Sequence, residues 1–177
     1  MKSEWQEMSL YDLATWKNGL AFRDIDFAPV GKPVIKIAEL KNGITSQTRY
    51  TEQSFDSSVA ITNGDMLFSW SGNPETSIDV FWYRLADGWL NQHIFKVTEK
   101  GINRYFLYYL LKSLKQQFTA IAANKQTTGL GHVTVSDLRR MRVSIPSIPE
   151  QEAIVSVLKS LDERIDVNCA INHNLAA

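Results

Sequence analysis

The segment after Pro146 and Pro149 restricts the fold most, because residues 150–177 read as one long helix. Its seam residues recur at alternating spacings of four and three: Ile154, Leu158, Leu161, Ile165, Asn168, Asn172 and Leu175. This spacing is typical of a coiled coil. At about 1.5 Å per residue the helix would be roughly 35 to 40 Å long. We predict that it projects from a domain formed by residues 1–149 and packs against another helix.

Two interpretations of this helix differ in what covers its apolar stripe. In the first, a second helix covers it, and Asn168 and Asn172 lower stability but fix the register and the number of helices. In the second, the helix folds back onto its own domain, and Ile171 replaces Asn172 in the stripe. The length favours the first interpretation, because so long a helix has little domain on which to lie.

The composition is that of a globular protein. Of the 177 residues, 44% are apolar and 21% are charged, which provides a core and excludes a largely disordered chain. The apolar runs are far shorter than the roughly 20 residues that cross a bilayer, and residues 1–20 lack the pattern of a secretory signal. The single cysteine, Cys169, cannot form a disulfide within the chain. We therefore expect a soluble cytoplasmic protein.

Positive charge is concentrated in one part of a chain whose net charge is zero. Residues 101–149 contain seven Lys and Arg and one Asp or Glu, against ten and thirteen in residues 1–100 and two and five in residues 150–177. Such a local excess favours a polyanionic partner. The alternative is a basic surface that binds nothing, and charge alone does not decide between them.

Apolar alternation and turn signals predict mainly strands in the first 100 residues. A short helix from Leu10 to Trp16, capped by Ser9, is expected near the start. Strands are then expected at Val34–Ile37 and Thr45–Tyr50. Further strands are expected in MLFSWSG, SIDVFWYRL and HIFKV, with turns at Asn42-Gly43, Asn63-Gly64 and Asp87-Gly88.

The apolar period changes to that of a helix after Arg104. An amphipathic helix is predicted from Arg104 to about Ala123, followed by a polar loop at residues 124–132. A short helix capped by Ser136 and a last strand, VSIP, complete the domain. This order predicts an α+β fold with mainly antiparallel strands, followed by the long helix.

Motifs of enzyme chemistry are weak. The sequence lacks the nucleotide-binding phosphate loop and the G-x-S-x-G elbow, and His93, His132 and His173 are far apart. Asp26 followed by Glu39-Leu40-Lys41 has the order of a metal-dependent D…E-x-K nuclease site. We keep that nuclease as an alternative and otherwise expect no catalytic residue, metal or cofactor in the chain.

Three polar loops contain side chains that can hydrogen-bond to base edges. Arg and Lys pair with guanine, and Asn and Gln pair with adenine. We expect base contacts first from the loop at 125–132 and then from those at 69–73 and 91–93; any one of these loops could instead be an ordinary solvated turn. The candidate DNA-binding residues are Lys125, Gln126, Thr127, Thr128, His132, Ser69, Ser71, Asn73, Asn91, Gln92, His93, Lys36 and Lys41.

Taken in order, the segments of this chain resemble half of a specificity (S) subunit of type I restriction-modification enzymes. The matching segments are LYDLATWKNGLAF, GKPVIKIAELKNG, NGDMLFSWSG, LNQHIFKV and YFLYYLLKSL. The closing segment is more specific, because an apolar strand, two prolines, Glu150-Gln151 and an Ile/Leu helix follow one another from Ile145 to Leu161. Ser147-Ile148 separate prolines that are often adjacent in the family.

The resemblance implies a DNA target-recognition domain followed by a conserved helical spacer. In the family, two such units recognise the parts of a split DNA target, their helices pair antiparallel, and they dock the methyltransferase subunit. S-adenosylmethionine, ATP and Mg would belong to partner subunits, and the restriction subunit would be an indirect partner. A chain with one unit is expected either to form a homodimer on a split palindrome or to be a piece of a longer subunit. A decoy that binds the methyltransferase without recognising DNA is a further alternative.

Overall fold

A computed structural model describes residues 5–126 and 129–175 of the chain, without the side chains of His173 and Leu175. The described residues form an α+β domain and a long C-terminal helix, as predicted from the order of elements. Among them, no helix has the length and hydropathy needed to cross a membrane.

The strands are short and the helices vary in length. In chain order, the strands are β1 (Gln6–Ser9), β2 (Ala14–Asn18), β3 (Lys32–Ile35), β4 (Tyr50–Thr51), β5 (Ala60–Ile61), β6 (Met66–Ser69), β7 (Ser71–Gly72), β8 (Asp79–Trp82), β9 (Gly88–Leu90), β10 (Ile94–Glu99), β11 (Gly131–His132) and β12 (Arg142–Ile145). The helices are α1 (Ile37–Asn42), α2 (Pro74–Ser77), α3 (Arg104–Ser113), α4 (Lys115–Asn124), α5 (Val135–Arg140) and α6 (Ile148–Leu175).

An antiparallel sheet of order β2-β10-β6-β8 forms the centre of the domain. All four residues of β6 are buried, so both faces of the sheet are covered. Met66 and Phe68 point to the main core with α3 and α4, whereas Leu67 joins a smaller core on the opposite face. This placement follows from the alternation of side chains along a strand.

A second sheet, of order β4-β3-β9-β5, covers the smaller core. It is mixed, because β3 and β9 are parallel and the other pairs are antiparallel. Ile35, Ile61 and Leu90 from this sheet pack against Leu67 and Ile94 of the central sheet. Two further pairs, β1 with β12 and β7 with β11, connect distant parts of the chain.

The predicted helix from Arg104 to about Ala123 is confirmed in extent but is divided in two. The boundary is Leu114, whose φ of −84° and ψ of 1° depart from helical values. The hydrogen bonds continue through the boundary, from Leu114 N to Leu110 O at 3.1 Å and from Phe118 N to Leu114 O at 3.0 Å. The apolar face therefore stays on the main core along both helices.

The predicted helix from Leu10 to Trp16 is wrong. Only Leu10–Leu13 form a single 3-10 turn, and the chain continues as β2, in which Trp16 pairs with Val97. The Ser9 hydroxyl makes no capping hydrogen bond and instead donates to Arg139 O at 3.1 Å. Pairing with a distant strand outweighs the local helix signal at this point.

Three smaller expectations also need correction. Ile37 begins α1 instead of continuing the strand, because the Glu39 carboxylate accepts from Lys36 N at 3.0 Å and caps a helix. The strand expected at Thr45–Tyr50 is limited to β4. The cap of α5 is Thr134 and not Ser136, since Thr134 N donates to the Asp137 carboxylate at 2.7 Å.

Helix α6 starts two residues earlier than expected, and Gln151 fixes its first turn to the domain. The Gln151 side chain, 2% exposed, donates to Pro146 O and accepts from Asn103 N, both at 2.8 Å. Val155 is also buried, and the Tyr109 hydroxyl donates to Asp162 at 2.8 Å. From residue 159 to residue 172 every residue is exposed, so the helix projects as predicted.

Candidate nucleic-acid interface

Two of the three polar loops and one end of the third meet at Trp70. Its backbone N donates to His93 O at 3.2 Å, and its carbonyl accepts from Val133 N at 2.8 Å. Beside it, Ser71 pairs with His132 across β7 and β11. We call residues 69–73, 91–93 and 131–132 the Trp70 surface.

The indole of Trp70 is held on three sides. Its Nε1 donates to the Asn18 side-chain oxygen at 3.0 Å, and its ring stacks on Phe95 with centroids 5.7 Å apart. The His93 ring lies at the same centroid distance from Trp70. Burial lowers the pKa of His93, so its imidazole is uncharged at pH 7 and offers one donor and one acceptor. Asn18 was not among the predicted residues, and only the fold places it here.

A glycine brings the third loop against the domain. A Cβ atom at Gly131 would lie 2.3 Å from Ala122 O, so only glycine permits this approach to α4. The backbone of β11 therefore lies directly against α4.

Burial separates the predicted base-contacting residues into two groups. Ser69 is 0% exposed and Asn91 is 8% exposed, so both support the surface from within and their assignment to direct base contacts is corrected. The Ser69 hydroxyl also has no hydrogen-bond partner within residues 5–126 and 129–175. Ser71, Gln92, Lys125 and His132 are half-buried, and Asn73, His93 and Gln126 are exposed.

Some of the exposed polar groups already have partners. The side-chain oxygen Oδ1 of Asn73 caps α2 by accepting from Glu75 N and Thr76 N at 3.1 and 3.0 Å. Gln92 Nε2 lies 3.3 Å from His93 Nε2. Two predicted residues, Thr127 and Thr128, lie outside the described residues.

Lys125, the first residue of the favoured loop, forms an ion pair with Asp137. Its ammonium lies 2.6 and 2.5 Å from the two carboxylate oxygens, and Arg140 lies 2.8 Å from one of them. Burial disfavours the charged carboxylate, but hydrogen bonds from Lys125, Thr134 and Arg140 outweigh it and lower the pKa of Asp137. The charge of Lys125 is therefore balanced within the domain.

The same is true of most of the basic segment at 101–149. Six of its seven cations lie within ion-pair distance of a carboxylate: Arg104 with Glu99, Lys112 and Lys115 with Asp79, Lys125 and Arg140 with Asp137, and Arg142 with Glu7. Three acids from other segments, Glu7, Asp79 and Glu99, thus lower the excess of six positive charges to three, and the segment is weaker support for a polyanion than the count suggested.

Lys36 and Lys41 lie at the two ends of α1. Lys36 is half-buried, with its ammonium 5.4 Å from the centroid of the Phe27 ring. The residue before it, Ile35, accepts a hydrogen bond from Asn91 N at 3.0 Å, which joins Lys36 to the Trp70 surface. Lys41 is exposed in the last turn.

The nuclease alternative is not supported by the placement of its carboxylates. The Asp26 side chain accepts from Arg23 N at 2.7 Å and caps a 3-10 turn. Glu39, 6% exposed, accepts from Lys36 N and from the Thr48 hydroxyl at 3.1 Å. Residues 5–126 and 129–175 contain no group of His, Cys, Asp and Glu that could hold a metal ion.

The predicted seam of α6 is divided between the domain and solvent. Ile154 and Leu158 are half-buried at the base of the helix. Leu161 and Ile165 are 48% and 57% exposed, and Leu161 lies about 100° around the helix from Asp162, which contacts the domain. Asn168 and Asn172 are exposed, and the side chain of Leu175 is outside the described part. The interpretation in which the helix folds back is therefore wrong for Leu161 and Ile165.

Comparison with known proteins assigns this arrangement to a family. A family model described as "Type I restriction modification DNA specificity domain" matches residues 2–177. The chain is 27% identical over 166 residues to the specificity subunit of the type I restriction enzyme EcoBI from Escherichia coli, covering 92% of this chain and 33% of that protein.

Two solved structures show the same fold. The S subunit of a type I restriction-modification system from M. genitalium has a TM-score of 0.66 and 19% identity, covering 93% of this chain and 41% of that chain. The HsdS subunit from Thermoanaerobacter tengcongensis has a TM-score of 0.66 and 15% identity, covering 94% and 39%. This chain thus spans a third to two-fifths of its relatives' length. The chain belongs to the family of type I restriction-modification DNA specificity domains.

Proposed function

We propose that the chain is a non-catalytic DNA-recognition unit of a type I restriction-modification complex. The observation that carries this function is the meeting of three polar segments, 69–73, 91–93 and 131–132, around Trp70. Membership of the family and the placement of side chains that can pair with base edges support it. The exposed side chains of Asn73, His93 and Gln126 and the half-buried Gln92 and His132 are the candidates for base contacts.

The unit recognises one part of a split target and pairs with a second copy through α6. The apolar stripe of Leu161 and Ile165 lies outside the domain contact, and an identical helix offers the same stripe. Two copies related by a two-fold axis present two identical recognition surfaces, so the target is a split palindrome. The spacing between its halves is set by the paired helices.

The complex supplies the chemistry that this chain lacks. A methyltransferase subunit docks on the unit and brings S-adenosylmethionine, and the restriction subunit joins with ATP and Mg. The resemblance to specificity subunits supports this division, in which the present chain contributes recognition and placement alone.

Co-expression with the methyltransferase subunit, followed by mapping of methylated adenines across a random DNA library, tests this function. A split palindromic motif is the expected result. Two unlike halves would contradict pairing with an identical copy. Methyltransferase binding without any sequence motif would favour the decoy.

A matched pair of variants connects the motif to the Trp70 surface. Gln92→Ala removes a half-buried amide on that surface, and Gln116→Ala removes an exposed amide on α4. Loss of a paired contact with a base costs about 1–3 kcal/mol of discrimination. We expect Gln92→Ala to relax one base of each half-site and Gln116→Ala to leave the motif unchanged. An unchanged motif in both variants would remove Gln92 from the contact set.

A further inference from the structure

A group of aromatic rings lies outside both cores, beside the second sheet. The rings of Phe22 and Phe27 are stacked, with centroids 6.2 Å apart. The Phe22 ring also meets the Phe55 ring edge-on, with centroids 5.1 Å apart. Phe55 in turn meets Trp89 at 5.3 Å. The three phenylalanines are half-buried, so part of each ring remains at the surface.

Three cations lie over these rings. The Arg49 guanidinium is 4.0 Å from the centroid of Phe27, and the Lys36 ammonium approaches the same ring. The Lys32 ammonium lies 5.3 Å from the centroid of Trp89. A ring face attracts a cation and fixes its position without neutralising its charge. We call Phe27, Trp89, Lys32, Lys36 and Arg49 the cation–aromatic patch.

This pairing distinguishes the patch from the basic segment at 101–149. There, most of the cations lie beside a carboxylate, whereas among residues 5–126 and 129–175 the patch has one ion pair, which joins Arg49 to Asp24 at 3.4 Å. Asp24 is fully exposed, and a pair of that kind contributes little and exchanges readily with another anion. Nearby Asp26 and Glu39 direct their carboxylates to backbone N–H groups and a threonine hydroxyl.

The patch adjoins the Trp70 surface. Lys36 follows Ile35, whose carbonyl accepts from Asn91 N. On the other side of Lys36, Ile37 Cδ1 would lie 3.7 Å from a Cβ atom placed on Gly72. A DNA duplex on the Trp70 surface would therefore also lie close to Lys36 and to Arg49, which is over the same Phe27 ring. Duplex DNA has one negative charge per roughly 1.7 Å of its axis, so phosphates flank any base that the Trp70 surface contacts.

We propose that the cation–aromatic patch binds the phosphate backbone of duplex DNA beside the recognised bases, with Lys32, Lys36 and Arg49 each contacting a phosphate. Lys36 is one of the DNA-binding candidates from the sequence, whereas Lys32 and Arg49 are assigned by their position over the rings. This inference rests on the proposed function, since it places the patch next to recognised bases. The patch supplies sequence-independent affinity and orientation, and the Trp70 surface supplies specificity.

The salt dependence of DNA binding tests the proposal. Binding of the full chain to a random-sequence 30-base-pair duplex is measured by fluorescence anisotropy from about 50 to 200 mM salt, the range in which phosphate contacts change affinity steeply. Each phosphate contact adds about 0.9 to the slope of log affinity against log salt. We expect Lys32→Gln, Lys36→Gln and Arg49→Gln each to lower the slope by about 0.9, which corresponds to roughly eightfold weaker binding at 0.1 M salt.

Lys100→Gln is the matched control. Lys100 is exposed and follows β10 at the end opposite His93, roughly 20 Å away along the strand. We expect its slope to equal that of the unmodified chain. Arg49→Lys keeps the charge and should restore the slope that Arg49→Gln loses, whereas a merely structural role of the guanidinium would leave both variants impaired. Thermal unfolding of each variant by circular dichroism identifies any that fail to fold.

The outcomes separate this proposal from the proposed function. DNA binding with slopes unchanged in all three glutamine variants would overturn the patch and leave recognition by the Trp70 surface in place. Equal loss of slope in Lys100→Gln would also overturn it, because the effect would then be one of net charge. Absence of any duplex binding by the unmodified chain at 50 mM salt would overturn both.

Discussion

The Trp70 surface and helix α6 are assembled in opposite ways. The first joins segments as distant as residues 69–73 and 131–132 through main-chain hydrogen bonds and strand pairing, and several of its polar groups serve that assembly. The second presents Leu161 and Ile165 from a single helix whose outer part is exposed throughout. Changes to the supports of the Trp70 surface should therefore affect stability together with DNA recognition. Changes to the α6 stripe should affect association alone.

The largest effect is expected at the ion pair next to the favoured loop. Asp137→Ala removes the hydrogen bonds from Lys125 and Arg140 together with the cap of α5. Losing hydrogen bonds to a charged group and a helix cap costs about 3–4 kcal/mol in total. The free energy of unfolding should fall by that amount in urea titrations. Asp166→Ala, at an exposed position of α6, should change it by no more than about 0.5 kcal/mol. Equal losses in the two variants would show that the ion pair has no special role in the domain.

The same carboxylate gives stability a pH dependence. Because hydrogen bonds lower the pKa of Asp137 in the folded chain, the unfolded chain binds this proton at higher pH than the folded one. Its contribution is complete above the ordinary value of about 4 and is lost as pH falls through the lowered value. Urea titrations between about pH 2 and pH 5 should therefore show a flatter decline for Asp137→Ala than for the unmodified chain. Parallel curves would contradict the assignment.

The stripe of α6 provides the next effect, and it concerns association. Leu161→Asp with Ile165→Asp places charges in the proposed helix–helix contact and should weaken pairing by more than about 3 kcal/mol, or over 100-fold in Kd. Sedimentation velocity should then show a monomer at micromolar concentration, with the free energy of unfolding of the domain unchanged.

Val167→Asp is the control for the stripe. Val167 is as exposed as Ile165, at 57%, but lies roughly 160° around the helix from it. It should leave association intact. A dimer that survives the double variant, or dissociates equally with Val167→Asp, would contradict pairing through the predicted seam.

A smaller effect on stability is expected at Gln151, which connects the first turn of α6 to the domain. Gln151→Leu removes the hydrogen bonds to Asn103 N and Pro146 O and leaves the half-buried N–H of Asn103 and the buried carbonyl of Pro146 without that partner. We expect a loss of about 2 kcal/mol in the free energy of unfolding and faster proteolysis at the start of α6. Glu152→Leu, at the exposed neighbouring position, is the matched control. Unchanged proteolysis would show that packing of Val155 alone fixes the helix.

The Trp70 surface and α6 also differ in how far they could be predicted from sequence. The seam of α6 follows from local periodicity, and the structure differs mainly in starting the helix at Ile148. The three polar segments are visible in the sequence, but their meeting at Trp70 depends on main-chain hydrogen bonds and a strand pair between distant segments. Another long-range pair, β2 with β10, gives a strand where the sequence predicted a helix after Ser9.

Charge was predicted least well, for a related reason. A count along residues 101–149 does not include the acids that other segments bring to its cations, such as Glu7 to Arg142. Asp137 lies within the segment itself, and its spacing from Thr134 is that of a capping box at the start of α5. The rings under Lys32 and Arg49 come from separate segments and have no local signal.

The smallest effect is expected at Asn73 of the Trp70 surface. It separates a role in capping α2 from a role in contacting a base. The side-chain oxygen Oδ1 of Asn73 caps α2, so Asn73→Ala should cost about 1 kcal/mol of stability. Serine caps helices about as well as asparagine, so Asn73→Ser should recover that stability but lacks the amide N–H groups that pair with a base. We expect Asn73→Ser to be as stable as the unmodified chain in urea and still to recognise a relaxed DNA motif in the methylation map. Recovery of both properties by serine would assign Asn73 to support of the surface, because its amide would then be dispensable for recognition.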